Sequence, residues 1–262
     1  MEASGFVVAA AQRFQRQGRE LATQIGTRTR ERIRGLEEGW GRLNKMPDPD
    51  RRVPLENADI GLLSAQIFTA PSTGYRLFEE IAGRGVALAG ALFVYFPLTP
   101  IIALAIKLDS RGPVFYRQAR LGLGGVPFEI LKFRTMHMTH TTPVPIPPAS
   151  EITRVGRFLR QYRINELPQL LHVLSGRMAL IGPRPDISAV MEIYRSISPA
   201  AELRLAVKPG LTGWAKVNHG RLGDRACNLE YDLYWLGHRS IPLGLEILFR
   251  TVRVVLTGHG GG

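Results

Sequence analysis

The sequence predicts an α+β fold: a mostly helical, membrane-associated globular domain with a re-entrant membrane helix, a short β-hairpin and interfacial amphipathic helices. Three observations predict it. Gly85 to Ile106 carries no charged residue over 22 positions and has prolines at 97 and 100. Gly112 to Met136 places β-branched and aromatic residues around the Gly-rich turn RLGLGG, Arg120 to Gly125. Glu151 to Tyr162, Ile187 to Arg204 and Leu243 to Leu256 repeat apolar residues at helical spacing.

Taken in order, residues 1–45 are Arg- and Glu-rich with few large apolar side chains, and Thr27 to Gly35 is a dense basic run. They read as one or two amphipathic helices, on a membrane surface or in solvent, or as a solvated charged tail. Lys45 to Pro71 holds Pro47, Pro49, Pro54 and Pro71 and reads as linker. The uncharged segment is long enough to span a bilayer core of about 30 Å. Pro97 and Pro100 predict a sharp bend, because each removes a helical hydrogen bond and crowds the preceding turn. Arg76 and Arg84 precede the segment, and Lys107, Arg111 and Arg117 follow it. A straight span would export one basic flank, whereas a bent hairpin keeps both inside, as basic residues prefer. A re-entrant helix is therefore favoured over a full span and over a buried helix of a soluble core.

Gly112 to Met136 reads as short strands or a hairpin. Thr139 to Ser150 is a Pro-rich loop. Ile187 to Arg204 should break near Ser198-Pro199. Asn228 to Gly237 is aromatic-rich, and Leu243 to Leu256, with Arg250 and Arg253 interposed, suits a helix at the membrane interface. The Gly-rich end is tail. No internal repeat occurs. The organisation is thus an extension and linker (1–70), a membrane hairpin (71–110) and a cytoplasmic domain (111–262).

Formal net charge is +12 and the isoelectric point is near 10.5. That balance fits nucleic acid, an anionic membrane or phosphorylated substrates. A single cysteine, Cys227, excludes an intrachain disulfide, and the six histidines show no zinc spacing. The N-terminus lacks the basic region and long apolar core of a cleavable signal peptide.

The most informative stretch is FLRQYRINELPQLLHVLSGRMALIGPRP, residues 158–185. A short helix is expected to start at Pro168, which a first helical turn tolerates, and to stop at Gly176. Asn165 and Glu166 stand just ahead of it, where unpaired N–H groups and the helix dipole favour a carboxylate or a phosphate. Gly182-Pro183-Arg184-Pro185 is a rigid turn presenting one guanidinium. An acid, a helix N-terminus and a fixed arginine together suggest phosphoryl-transfer chemistry.

These motifs resemble the bacterial sugar transferases, the monotopic polyprenyl-phosphate phosphoglycosyl transferases. The family pattern of Asp-Glu-Leu-Pro-Gln, Gly-Asp-Met-Ser and Gly-Pro-Arg-Pro is met here by Asn165-Glu166-Leu167-Pro168-Gln169, Gly176-Arg177-Met178-Ala179 and Gly182-Pro183-Arg184-Pro185. The resemblance covers about residues 75–256. It includes Arg76-Leu77-Phe78-Glu79, Lys107 to Val114, Phe115 to Gly122, Lys132-Phe133-Arg134-Thr135-Met136 and Lys208 to Trp214. It implies transfer of a sugar-1-phosphate from a UDP-sugar to undecaprenyl phosphate, starting a polysaccharide or glycoconjugate. The implied location is the cytoplasmic face of the bacterial inner membrane, with a monotopic attachment to membrane lipids. The resemblance also implies Mg²⁺, with Glu166 as its ligand, and a covalent phosphosugar on the family's Asp, here Asn165.

A neutral amide is a poor nucleophile. Asn165 leaves several routes open: a substituted Asp that traps a substrate complex, attack by Glu166 or by the prenyl phosphate itself, binding without turnover, or deamidation to Asp. Asn165 could equally cap the Pro168 helix. Glu79, Arg177, Ala179, Lys216 and Gly244 also depart from the residues usual in the family; Lys216 replaces a Gln and Arg177 an acid.

Arg184 is the first candidate phosphate ligand, because its flanking prolines fix the backbone and a guanidinium grips phosphate bidentately. Arg117, Arg120, Lys132, Arg134, Arg204 and Lys208 are further basic candidates, shared between substrate and lipid phosphates. Gly210-Leu211-Thr212-Gly213 is a tight loop whose glycines allow close approach to a ligand, with Thr212 as a contact. Asp232 is a supporting acid, and His172 reads as a packed helix residue. Two functions follow: the transferase, or a silent relative that binds UDP-sugar or partners. A nucleic-acid-binding role finds no motif. Amphipathic extensions leave a homodimer open.

Overall fold

The computed structural model describes residues 51–55, 59–69, 73–137, 151–218 and 225–258. The expected amphipathic extension over 1–45, the Pro-rich loop over 139–150 and the Gly-rich end after 258 lie outside the described residues.

The fold is α+β and mostly helical. Helix α1 (Ile60–Thr69) comes first, followed by a long apolar helix in three parts: α2 (Thr73–Gly90), a π turn (Ala91–Tyr95) and α3 (Phe96–Asp109). Where a sharp bend was expected at Pro97 and Pro100, the helix instead runs on through a π turn one turn earlier. The Phe96 N–H donates to Ala91 O, five residues back, while Tyr95 and Phe96 keep helical torsions. Pro97 has no N–H to give and its ring crowds the carbonyl four residues before it, so the preceding turn widens. Glu79–Asp109 is long and apolar enough to cross a membrane, at a mean hydropathy of 2.0.

One stripe of this helix, Ala87, Ala91, Tyr95, Ile102 and Ile106, is buried. The opposite face leaves Phe93, Ile101, Leu104 and Leu108 exposed. Both arms rest on the same globular body. Gly83 faces Leu180 and Gly90 faces Leu170 on one arm. On the other arm Asp109 accepts a hydrogen bond from the Val155 N–H at 3.0 Å.

The expected hairpin is strands β1 (Phe115–Leu121) and β2 (Pro127–Phe133), antiparallel, with Phe115 opposite Phe133. Its turn uses Gly124 and Gly125 at φ 66° and 75°, a region that side chains disfavour. Helix α4 (Arg154–Gln161) begins at Thr153, whose hydroxyl accepts from the Gly156 N–H. A 3₁₀ turn (Ile164–Gln169), helix α5 (Leu170–Leu174) and strand β3 (Ala179–Ile181) follow. Helix α6 (Ser188–Ile197) stops at Ser198, and Pro199–Ala206 continues as 3₁₀, so the break at Ser198-Pro199 is where it was expected. Strand β4 (Gly210–Thr212) pairs parallel with β3. Helices α7 (Trp214–Asn218), α8 (Arg225–Gly237) and α9 (Ile241–Thr257) complete the fold.

Helix α8 is the centre of the core: Leu229, Leu233, Trp235 and Leu236 are buried, beside Trp214 and Ile247. The segment expected as linker departs from that reading. Val53 is buried and its N–H donates to Glu230 O at 3.1 Å, and α1 packs Leu63 and Ile67 into the core. Arg239 ties the end of α1 through Ile67 O at 2.8 Å. Helix α9 buries Leu243, Gly244 and Ile247 and exposes Leu245, Phe249, Val252 and Leu256. That two-sided pattern is the one expected of an interfacial helix.

Candidate active site

The site forms where α4 gives way to the 3₁₀ turn. Arg163 makes the transition in a left-handed conformation, φ 56°, which non-glycine residues adopt at a cost. The helical backbone thus begins at Ile164, not at Pro168 as the sequence suggested. Asn165 and Glu166 lie inside this turn rather than ahead of a helix. Pro168 lies inside this 3₁₀ segment, two residues before helix α5 begins at Leu170. Asn165 does not cap: its half-buried side chain has no hydrogen bond among the described residues.

Glu166 is buried and holds two cations. Arg184 Nη1 donates to its Oε1 at 3.0 Å, and Lys216 Nζ to its Oε2 at 2.5 Å. Lys216 Nζ also donates to Leu211 O at 2.7 Å, and the Lys216 carbonyl accepts from Arg163 Nη2 at 3.3 Å. Burial opposes the Glu166 charge, but Lys216, Arg184, Lys132 and Arg163 outweigh it and hold the carboxyl well below its usual range. Burial lowers Lys216 to about 8, with Arg163 and Arg184 adding to the fall and Glu166 opposing it. Burial and the nearby Arg184 push Lys132 well below the ordinary lysine value. No hydrogen bond engages the Lys132 amino group among the described residues. Burial likewise lowers Arg160 and Arg163.

Arg184 reaches Glu166 because three glycines let two backbones meet. Gly182 N donates to Thr212 O at 2.9 Å, and Gly210 N to Pro183 O at 2.8 Å. A Cβ on Gly210 would stand 2.1 Å from Gly182 N, and one on Gly213 2.2 Å from Gly182 O. The glycines of the 210–213 loop, expected to approach a ligand, approach the Gly182 backbone instead. Behind Arg184 lies a second charged layer. Arg204 Nε donates to Asp232 at 2.8 Å, and its Nη2 to Asp186 at 3.0 Å and to Arg184 O at 3.2 Å. Its guanidinium lies over the Tyr194 ring at 4.1 Å. Arg120 donates to Pro185 O at 3.2 Å and pairs with Asp186 at 3.7 Å. Burial, with Arg184 nearby, lowers it to about 10. A small cavity here is lined by Leu121, Pro183, Arg184, Pro185, Asp186 and Arg204.

The structure therefore brings Glu166, Arg184 and Lys132 together beside Asn165, with Pro183, Pro185, Arg120, Arg204 and Asp232 as the layer behind. The other candidates are engaged elsewhere. Arg117 is 73% exposed and faces Glu129 across the hairpin. Arg134 is buried and donates to the carbonyls of Ser110, Arg111 and Pro113, closing the turn after α3. Lys208 pairs with Glu80 at 2.9 Å on the surface. Thr212 bonds Thr251 of α9 at 2.6 Å. Lys216, Arg163, Arg160 and Asp186 belong to the site and were not among its sequence candidates. Lys216 was visible only as a departure from the family pattern; Arg160 and Arg163 sit three apart just before the Asn165 turn.

A resident Mg²⁺ does not fit these residues. Mg²⁺ is held by one or two carboxylates, with water and phosphate oxygens completing its octahedron, so its fit turns on whether Glu166 has an oxygen to give. Glu166 and Asp186 are carboxylates of the site; arginine and lysine engage both oxygens of Glu166, and two arginines those of Asp186. An octahedral cation needs free oxygens.

A family model described as bacterial sugar transferase matches residues 75–258. The chain belongs to the bacterial sugar transferase family. It is 44% identical over 191 residues to a UDP-glucose:undecaprenyl-phosphate glucose-1-phosphate transferase of Caulobacter vibrioides, covering 70% of this chain and 69% of the relative. It is 38% identical over 186 residues to a UDP-N-acetylgalactosamine-undecaprenyl-phosphate N-acetylgalactosaminephosphotransferase of Aeromonas hydrophila, covering 68% and 44%. It is 36% identical over 200 residues to a UDP-glucose:undecaprenyl-phosphate glucose-1-phosphate transferase of Escherichia coli, covering 73% and 43%. The chain thus spans less than half of two of these relatives and about two thirds of the third. The sugar transferase family accounts for the motifs that meet at Glu166 and Arg184.

Proposed function

We propose that this chain binds a UDP-sugar and moves its sugar-1-phosphate to undecaprenyl phosphate, an initiating step of polysaccharide or glycoconjugate synthesis. The observation that carries this reading is the buried Glu166–Arg184 pair within a ring of cations, at 3.0 Å. A diphosphate is the substrate group that such a ring accommodates. Arg184 has a guanidinium face for a phosphate, and Lys132 has an unengaged amino group beside it. The relatives named above act on UDP-sugars and undecaprenyl phosphate, which supports the same substrates here.

The attachment follows from the apolar surfaces. The exposed faces of α3 and α9 enter the bilayer, and the basic flanks of the Gly85–Ile106 segment meet its headgroups from the cytoplasmic side. In this reading residues 71–110 are the membrane element and 111–262 the catalytic domain, with 51–69 folded onto it.

A second reading is favoured by one specific residue. The Asn165 amide stands where the family's carboxylate would attack, so binding without turnover by that route is the alternative. UMP release with undecaprenyl phosphate and a panel of UDP-sugars, with and without Mg²⁺, separates the two. Release by this chain supports the transferase and places the attacking group elsewhere than Asn165. Release by Asn165→Asp alone supports the silent binder on an intact scaffold. Absence of both release and UDP binding in both proteins would sink the proposal.

A further inference from the structure

Lys216 lies against one carboxylate oxygen of Glu166, the residue expected to hold a divalent ion. Its ammonium nitrogen is 2.5 Å from Glu166 Oε2 and 2.7 Å from Leu211 O. Its side chain is 13% exposed and that of Glu166 is 10%. The position is fixed from both ends. The Lys216 carbonyl accepts from Arg163, and helix α7 begins at the fully buried Trp214. The Trp214 indole N–H donates to Arg51 O at 2.8 Å, and the guanidinium groups of Arg51 and Arg250 lie 4.9 and 5.0 Å from its ring centroid. Glu166 accepts from Lys216 and Arg184 together, and its one negative charge is surrounded by Lys216, Arg184, Lys132 and Arg163. A second positive ion placed among them would meet repulsion in a poorly screened site. An anion placed there meets cations already in position.

We infer that Lys216 is a resident positive charge that stands in for a divalent metal, so that the site takes a diphosphate without one. A lysine ammonium is a compact point charge with three donors. Two donors are used by Glu166 and Leu211, leaving one for a phosphate oxygen. Glu166 then serves as the anchor that aligns Lys216 and Arg184, rather than as a metal ligand. The inference rests on the diphosphate reading proposed above for its ligand, but its claim about the metal is tested separately.

Two measurements on the full chain in nanodiscs decide it. The first uses Mn²⁺ alone, read by electron paramagnetic resonance. The expected result is that Mn²⁺ keeps its free spectrum with this chain. One stoichiometric bound Mn²⁺, lost in Glu166→Gln, would overturn the inference whether or not any UDP-sugar binds. The second is UDP affinity by calorimetry in EDTA and in Mg²⁺. Affinities within about twofold of each other are expected here, with Lys216→Gln at least about tenfold weaker in EDTA and recovered by Mg²⁺. A tenfold loss on adding EDTA to the unaltered chain, or no loss in Lys216→Gln, would overturn it. Lys216→Arg keeps the charge, and metal-independent binding is expected to persist in it even if Lys216→Gln does not fold. If UDP fails to bind at all, the substrate reading falls and the Mn²⁺ result stands alone.

Discussion

Arg204 Nε donates to Asp232 Oδ2 at 2.8 Å, and each side chain is only 4% exposed. Burial works against the Arg204 charge, but Asp232, Tyr194 and Asp186 around it hold its pKa above the ordinary value. The pair joins α8 to the 3₁₀ segment Pro199–Ala206, and through Arg204 to the carbonyl of Arg184. A core ion pair is thus tied through Arg204 to the backbone of Arg184.

Asp232→Asn should cost about 3 kcal/mol, because removing one partner leaves a buried charge underpaired. Asp186, at 3.0 Å, keeps the loss at the lower end of that range. Urea unfolding in detergent measures it. Asp232→Asn should also weaken UDP binding, since Arg184 loses its support. Unchanged stability would mean that Arg204 is already satisfied by Asp186 and the Arg184 carbonyl.

Arg184→Ala should weaken UDP binding at least about tenfold, the loss of a charge-assisted contact of roughly 1.5 kcal/mol or more. Arg184→Lys should recover only part, because an ammonium cannot present the planar fork. Arg184→Ala should also lower thermal stability, since buried Glu166 keeps Lys216 but loses the other of its two cations, and Arg184→Lys should restore most of that loss. Calorimetry and a melting curve on the same samples give both numbers. A lysine variant with full affinity would show that only charge matters there.

Gly210→Ala and Gly213→Ala should each cost about 3 kcal/mol or more, the upper range for forcing atoms into filled space. Their Cβ atoms would come within 2.1 and 2.2 Å of Gly182 backbone atoms, which cannot swing away as a side chain could. Gly85→Ala is the control. A Cβ there meets nothing within 4 Å, and in a helix the change should be stabilising by roughly 0.5–1 kcal/mol. If Gly210→Ala and Gly85→Ala melt alike, the close approach of β3 and β4 is not what positions Arg184.

The parts of this fold that a sequence exposes are those made by neighbours in the chain. The hairpin was legible because Gly124 and Gly125 stand between two apolar-rich runs, and the break at Ser198 because Pro199 follows it. Helix α1 was not legible. Prolines on both sides suggested a linker, while its helix is held by burial of Leu63 and Ile67 against α8, far along the chain. Strands β3 and β4 have three residues each and pair across distant segments, so no local period announces them. Glu166 and Arg184 were legible as motif residues, but their partner Lys216 was not, since only the fold carries α7 to Glu166. Arg134 illustrates the converse error. A sequence cannot tell an arginine aimed at phosphate from one that satisfies three backbone carbonyls.

Acid should loosen the contact between the hairpin and α5. The Leu131 N–H of β2 donates to His172 Nε2 at 3.1 Å, and the Phe128 ring meets the imidazole edge-on at 6.0 Å. Accepting that bond requires a neutral ring, with the proton on Nδ1. Burial and the neighbouring Arg177 lower the His172 pKa below its usual value of 6.5. The unfolded chain then binds more protons than the folded one between the depressed value and 6.5, so stability rises with pH across that window. As pH falls through 6.5 the contribution of His172 to stability should be lost progressively, levelling off below the folded pKa. Burial lowers His238 in the same way, so the full chain should show both effects. His172→Gln, whose amide oxygen can accept the same bond at any pH, should flatten part of the slope and leave the His238 share. Melting temperatures from pH 7.5 to 5 for the two proteins test this, and parallel curves would show that the Leu131–His172 bond does not couple the hairpin to protons.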